Sequence, residues 1–355
     1  LFGAHTLRCV ACGFDSNGRL GRFGAGRKPV RPGSATDALN ARATVVRTMT
    51  DTDDRDSGAA ASGRDDRLPA ETRIGRAALR VADLDETTAF YRDVVGLAVL
   101  DRDAERATLG AGGTPLLVLE RDADRPARSR TDAGLFHTAF RVRSRAALGE
   151  ALGRVGERWR LDGASDHLVS EALYLDDPEG NGVEIYRDRP REEWPIEGDG
   201  SVAMTTEPID LDAVSAAARG DETENTDRVR PGTDVGHVHL EVTSLAAFES
   251  VYVDGLGFEM RQAAPDVRFV AADGYHHHVG ANAWQGRTTP ASGRGLDWFE
   301  VVIPDDGSLE AVRERLDAAA SETTGEAAFA VDDVDDGIAV TDADGIEVRV
   351  RTDVK

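Results

Sequence analysis

The alternation of apolar and polar positions becomes regular at Arg73. Arg73 to Val81 alternates as a strand, Asp83 stands at a helix-capping position, and Leu84 to Val95 carries apolar residues at helical spacing until Gly96. Short strands are then predicted at Ala98 to Asp101, Arg106 to Leu109 and Pro115 to Leu119. This is a βαβββ unit of about 50 residues, too small to bury its own sheet face alone. Gly75, Leu79, Val81, Leu84, Tyr91, Asp93 and Gly96 recur without a gap, 161 residues on, as Gly236, Leu240, Val242, Leu245, Tyr252, Asp254 and Gly257.

Between these copies the pattern predicts a strand at Leu135 to Val142 and a helix at Arg145 to Val155. Ala172 to Leu175 and Val183 to Tyr186 then read as strands around a Pro- and Gly-bearing turn, Asp176 to Gly182. A fourth unit follows the second copy, with a strand at Leu296 to Ile303, a helix at Ser308 to Ala320, and strands at Ala327 to Val331, Gly337 to Thr341 and Glu347 to Arg351. The expected class is therefore α+β, with four βαβββ modules in two domains. Residues 72–190 would hold modules 72–121 and 132–190, and residues 233–355 would hold modules 233–286 and 294–355, joined by an acidic linker, 191–232.

Charge changes the picture at the N-terminus. The 355 residues carry a formal charge of −23, but residues 1–48 hold eight Arg/Lys against two Asp/Glu. Both cysteines, Cys9 and Cys12, lie in that stretch, and one CxxC pair cannot close a four-ligand zinc site by itself. Residues 1–48 read as an extension upstream of a start at Met49, and residues 1–71 as basic and then acidic disorder. The acidic, lysine-poor body suits concentrated salt, where carboxylate repulsion is screened, and argues against nucleic acid. No apolar run is long enough for a membrane span or signal peptide, so the expected location is cytoplasmic.

Seven of the eight histidines lie in the two middle modules. The second module offers His137 on its first strand and Glu184 on its last. A carboxylate between Val183 and Ile185 is costly to bury unless it is paired or metal-bound, although its face of the strand could equally meet solvent. The third module offers His237 and His239 on its first strand and the run His276, His277, His278 on its expected last strand. Two neutral imidazoles and one carboxylate, with positions left open, suit non-haem Fe(II). The outer modules offer Arg76, Asp297, Trp298, Glu300 and Glu347 but no histidine, and a guanidinium is not a metal ligand.

With FYRDVVGL at Phe90 to Leu97 and DPEGNGVEIY at Asp177 to Tyr186, the chain resembles the vicinal oxygen chelate superfamily, which includes glyoxalases, bleomycin-resistance proteins and extradiol dioxygenases. GLFHTAF, GHVHLEV and GYHHHVGANAW narrow the resemblance, over residues 73–355, to bacterial two-domain proteins of the catechol 2,3-dioxygenase type.

That resemblance implies a metal held by His137, His237 and Glu184, Fe(II) with Mn, Zn or Ni as alternatives, and a small aromatic diol and O2 as substrates. His278, followed three residues later by Ala281, would be the catalytic acid/base, with His167 and Tyr174 bordering the metal. His276, His277, His239 and Trp284 are further candidates for ligation or pocket lining. The alternatives are a glyoxalase-like isomerase or lyase and a metal-free ligand-binding protein. A homo-oligomer is compatible with modules that pair within or between chains. Modules paired in chain order would leave neither half with a complete site; pairing the second with the third would unite His137, Glu184, His237 and His278.

Overall fold

A computed structural model describes residues 67–198, 201–219, 227–322 and 328–353. The CxxC motif and the proposed disorder before residue 67 lie outside the described residues. In the first module, β1 (Arg73–Val81), α1 (Leu84–Phe90), β2 (Ala98–Arg102), β3 (Arg106–Ala111) and β4 (Thr114–Arg121) follow the predicted order. The second contributes β5 (Gly134–Arg141), α2 (Arg145–Arg158), β6 (Gly163–Asp166), β7 (Ser170–Asp176) and β8 (Gly182–Asp188).

The segment between the halves is more than a connector, because it carries α3 (Leu211–Arg219). Beyond it lie β9 (Asp234–Glu241), α4 (Leu245–Glu249), β10 (Glu259–Ala264), β11 (Val267–Ala271) and β12 (Val279–Asn282). The fourth module supplies β13 (Gly295–Ile303), α5 (Asp306–Glu322), β14 (Ala330–Val334), β15 (Gly337–Thr341) and β16 (Glu347–Thr352). Among the described residues, no helix is long and apolar enough to cross a membrane.

The helix starts follow from local chemistry. Asp83, Ser144 and Ser244 cap α1, α2 and α4 by accepting the amide N–H three residues on, which satisfies a donor the first turn leaves free. The stretch expected as one helix from Leu84 to Val95 changes geometry partway. After Phe90 it widens into a π turn, Tyr91–Val95, and ends at Gly96 with φ of 95°, a left-handed conformation that glycine adopts without a Cβ clash. The same widening follows α4 at Ser250–Gly255. In both copies it presents a buried tyrosine to an aspartate of the next module's turn: Tyr91 donates to Asp177 at 3.2 Å, and Tyr252 stands against Asp342.

The helical layer thus links modules that follow one another in the chain. Arg154 of α2 reaches the carbonyl of Val95 at 3.0 Å, and Arg315 of α5 reaches that of Leu256 at 3.0 Å. The sheets link different partners. One eight-stranded sheet runs β14-β15-β16-β13-β1-β4-β3-β2, the other β10-β11-β12-β9-β5-β8-β7-β6. Outer modules share the first sheet and middle modules the second, so each sheet draws on both halves of the chain.

At the centre of the second sheet β5 and β9 run antiparallel, with His137 opposite His239 and Ala139 opposite His237. Each is flanked by a parallel partner, β8 beside β5 and β12 beside β9. Both central strands are buried on nearly every position, histidines included.

Candidate metal centre

His137 and His237 lie one on each central strand, and Glu184 lies on β8 beside Ala139. Their ligand atoms converge. The two Nε2 atoms are 3.2 Å apart, and Glu184 Oε2 is 2.9 Å from His137 Nε2 and 3.1 Å from His237 Nε2. All three side chains are buried.

Burial disfavours ionised Glu184, yet the adjacent His237 and His137 hold its carboxyl well below the usual range. Burial takes His237 down to about 4 against the pull of Glu184, so its imidazole is neutral near pH 7. A carboxylate and two imidazole nitrogens aimed at one point form a donor set suited to a divalent cation, and these residues therefore fit the implied metal. Local packing requires Gly236: a Cβ there would stand 1.8 Å from the hydroxyl oxygen of Tyr186.

Position 280 defines what is missing from the ring of ligands. β12 pairs with β9 so that Gly280 faces His239, as Glu184 faces Ala139 in the other half of the sheet. The place related to Glu184 by the internal repeat thus holds a glycine. No second carboxylate stands there, and the rings of His239 and Phe269 lie against the glycine.

A cavity of about 190 Å³ opens beside the triad. His137, Glu184, His239 and His277 line its polar floor, while Phe136, Val169, Val267, Phe269 and Trp284 form apolar walls. Met204, Thr205 and Thr206 close one side, so the segment between the halves contributes to the site. Its apolar Val202 and Met204 pack with Val169, Trp194 and Tyr275.

His167 and Tyr174 also border the cavity. His167 Nδ1 lies 2.6 Å from the Thr205 carbonyl, so that nitrogen carries the proton. Its Nε2 then accepts from the Tyr174 hydroxyl at 2.7 Å. In the turn between β6 and β7, Leu168 is a non-glycine residue at φ of 69°, and its amide donates to Asp166 at the end of β6.

The histidine run differs from the expectation. The strand begins at Val279, so His276 to His278 precede it and strict alternation of faces does not govern them. His278 Nδ1 accepts the Ala272 amide at 3.1 Å, and the residue is absent from the cavity lining. His277 takes that position, with its ring centroid 4.0 Å from that of His237. Burial pushes His277 well below its ordinary value and His278 down to about 3. His276 turns away toward Asp188, its Nε2 2.9 Å from that carboxylate. His239 is buried rather than solvated, and its Nε2 is occupied by Asn282 at 3.1 Å.

Sequence reasoning missed the cavity roles of Phe136, Gln262, Phe269 and Met204 to Thr206. The one available signal was the pair of apolar residues, Val202 and Met204, inside a polar segment.

Two curled, repeat-built sheets with a His/His/Glu cluster on one of them define the vicinal oxygen chelate class, and the chain belongs to the Glyoxalase/Bleomycin resistance protein/Dioxygenase superfamily, whose family model matches residues 73–185. It is 40% identical over 255 residues to the Catechol-2,3-dioxygenase of Bacillus subtilis (strain 168), covering 69% of this chain and 88% of that protein. The protein is a catechol 2,3-dioxygenase-like oxidoreductase.

Solved structures share the fold at low identity. One from Bacillus subtilis subsp. subtilis str. 168, assigned to the dioxygenases, has a TM-score of 0.55 at 15% identity, covering 81% of this chain and 87% of that one. A mutant of glyoxalase I from Zea mays has a TM-score of 0.50 at 15% identity, covering 79% of this chain and 92% of that one.

Proposed function

We propose that the protein cleaves the ring of a catechol-type aromatic beside its two hydroxyls, with O2 as co-substrate and Fe(II) held by His137, His237 and Glu184. The observation that carries this reading is the convergence of those three ligand atoms beside an apolar cavity. When bound, Fe(II) would bring catechol and dioxygen together and lower the pKa of a catechol hydroxyl.

The protein's own groups do the rest. Phe136, Phe269 and Trp284 would hold the ring against water. The Tyr174 hydroxyl, which donates to His167 at the cavity wall, would orient the substrate. His277, the neutral imidazole on the cavity floor, would serve as acid/base. His278, held by the Ala272 amide, would then act only in shaping the loop.

A glyoxalase-like site would favour a second carboxylate, and Gly280 stands where the repeat would place it. The decisive experiment is anaerobic purification in high salt, metal analysis, and an assay for yellow ring-cleavage product and O2 uptake with catechol. Retained iron and product, both lost in His137→Ala and His237→Ala, are expected. Bound zinc or nickel without O2 uptake would support the isomerase reading, and a metal-free protein would support a binding role.

A further inference from the structure

Behind the cavity floor a chain of hydrogen bonds leads from His277 away from the triad. His277 Nδ1 lies 2.8 Å from His276 Nδ1, and His276 Nε2 lies 2.9 Å from Asp188 Oδ1. His276 is fully excluded from solvent, so its ring orientation is set by these protein partners. Asp188 also receives the Tyr275 hydroxyl at 3.0 Å and Arg141 Nη1 at 3.0 Å, and an ionised carboxylate only accepts.

From these contacts we infer that Asp188 and His276 are positioning residues that set the tautomer of His277, presenting its Nε2 lone pair to the cavity. This inference rests on the dioxygenase reading for its consequence and on hydrogen-bond bookkeeping for its content. Because Asp188 accepts, His276 Nε2 carries the proton. A His276 ring with that single proton has a lone pair at Nδ1, and the short Nδ1–Nδ1 contact then calls for the proton of His277 at Nδ1. Only Nε2 of His277 is left without one, and no hydrogen bond engages it among the described residues.

The same bonds offer a route for a proton. If His277 Nε2 takes one from a substrate hydroxyl, the proton on its Nδ1 can cross to His276 Nδ1. One N–H forms at Nε2, one breaks at Nδ1, and one forms on His276. The positive charge then rests beside the Asp188 carboxylate, not beside the metal ligands. The reverse transfer returns the proton when an acid is needed. The arrangement parallels a serine-protease carboxylate, which holds a catalytic imidazole in its working tautomer from behind.

The test combines two readouts on the full-length protein. In the zinc-loaded, nitrogen-15-labelled protein, long-range imidazole NMR correlations should show His277 protonated at Nδ1 and His276 at Nε2. In the iron-loaded enzyme, Asp188→Asn and His276→Gln should each lower kcat for catechol about a hundredfold, with KM and iron content unchanged, and Asp188→Glu should recover part of the loss. The His276→Gln variant leaves the Asp188–Arg141 pair intact, which separates a relay defect from misfolding. His277 protonated at Nε2 would overturn the inference, as would an unchanged kcat in both variants of an active enzyme. A wild-type enzyme that cleaves no catechol would sink the dioxygenase reading, and the NMR spectrum would still decide the tautomer.

Discussion

The two sheets have one topology and opposite centres. In the second sheet His137 and His237 face each other across β5 and β9, with Glu184 beside them. The repeat spacing puts Trp298 in the place of His137 and Arg76 in the place of His237. Strand register puts Arg349 in the place of Glu184, since β16 pairs it with Glu300 as β8 pairs Glu184 with Ala139. Register likewise puts Val118, paired with Ala78, where the second sheet has Gly280.

The first sheet therefore fills its centre with an indole. The Arg349 and Arg76 guanidinium carbons lie 4.2 and 5.5 Å from the Trp298 ring centroid, within cation–π range. Beneath them the buried Glu300 is held by Arg76 Nε at 3.0 Å and by Arg351 Nε at 3.1 Å. The lesson is that the fold needs a filled or neutralised centre and is indifferent to how this is achieved. Two arginines, a tryptophan and a glutamate do it with protein atoms alone, whereas in the proposed function two imidazoles and a carboxylate would do it with a cation.

The comparison breaks most sharply at Glu184. Glu184→Ala should abolish ring cleavage and weaken metal binding by more than about a hundredfold, because losing a direct ligand exceeds the cost of losing its outer partners; metal titration monitored by calorimetry checks this. Gly280→Glu would put a carboxylate at the position related to Glu184 by the repeat. Since a Cβ at Gly280 already meets His239 and Phe269 at 3.0 and 3.1 Å, those rings must yield slightly. The variant should retain metal but lose more than about tenfold in kcat/KM for catechol, a loss that steady-state kinetics with parallel metal analysis would measure.

In the first sheet the expected effect is on stability alone. Arg76→Ala leaves Glu300 with Arg351 and the backbone amide of residue 76 and should cost about 1–3 kcal/mol in chemical denaturation, with catechol turnover per folded enzyme unchanged.

The smallest effect concerns the turn of the fourth module. Burial pushes Asp342 up to about 7 despite the Ile346 and Asp344 amides it accepts, and Asp344 nearby adds to the rise. A folded pKa raised above the unfolded value gives stability that is full below about pH 4 and is lost as pH rises through about 7. Asp342→Asn, which can still accept both amides, should melt higher than wild type at pH 8. The advantage should shrink toward pH 4, as thermal melts across that range would show.

Much of this was legible in the chain. The repeat of Gly75, Tyr91 and Gly96 as Gly236, Tyr252 and Gly257 marks the modules because each residue performs a local task. Gly96 and Gly257 both adopt left-handed turns at φ of 95° and 89°, and the two tyrosines reach the next module's aspartate. His137, Glu184 and His237 stand out because seven of the eight histidines fall in the two middle modules and because the superfamily resemblance places ligands on those first and last strands.

The histidine run could not be resolved the same way. Alternation assigns faces only within a strand, and His276 to His278 sit in the loop that feeds β12. His277 instead of His278 reaches the cavity because the Ala272 amide and the Asp188 carboxylate claim the other two rings. The wall formed by Met204 to Thr206 was equally hidden, since a polar connector reveals its docking only when Val169 and Trp194 are in place to receive it.

By itself, then, the sequence determined the modules, the Asp83 cap and the residue types offered as ligands, all of which are encoded within a few residues or one repeat length. Tertiary structure alone decided which modules share a sheet. Helix packing joins consecutive modules while strand pairing joins the middle two, and the antiparallel pairing of β5 with β9 is a contact between residues about a hundred positions apart. Because a sheet edge accepts any strand of matching register, only the packing of the whole chain could choose that partner, and with it bring His137 to His237.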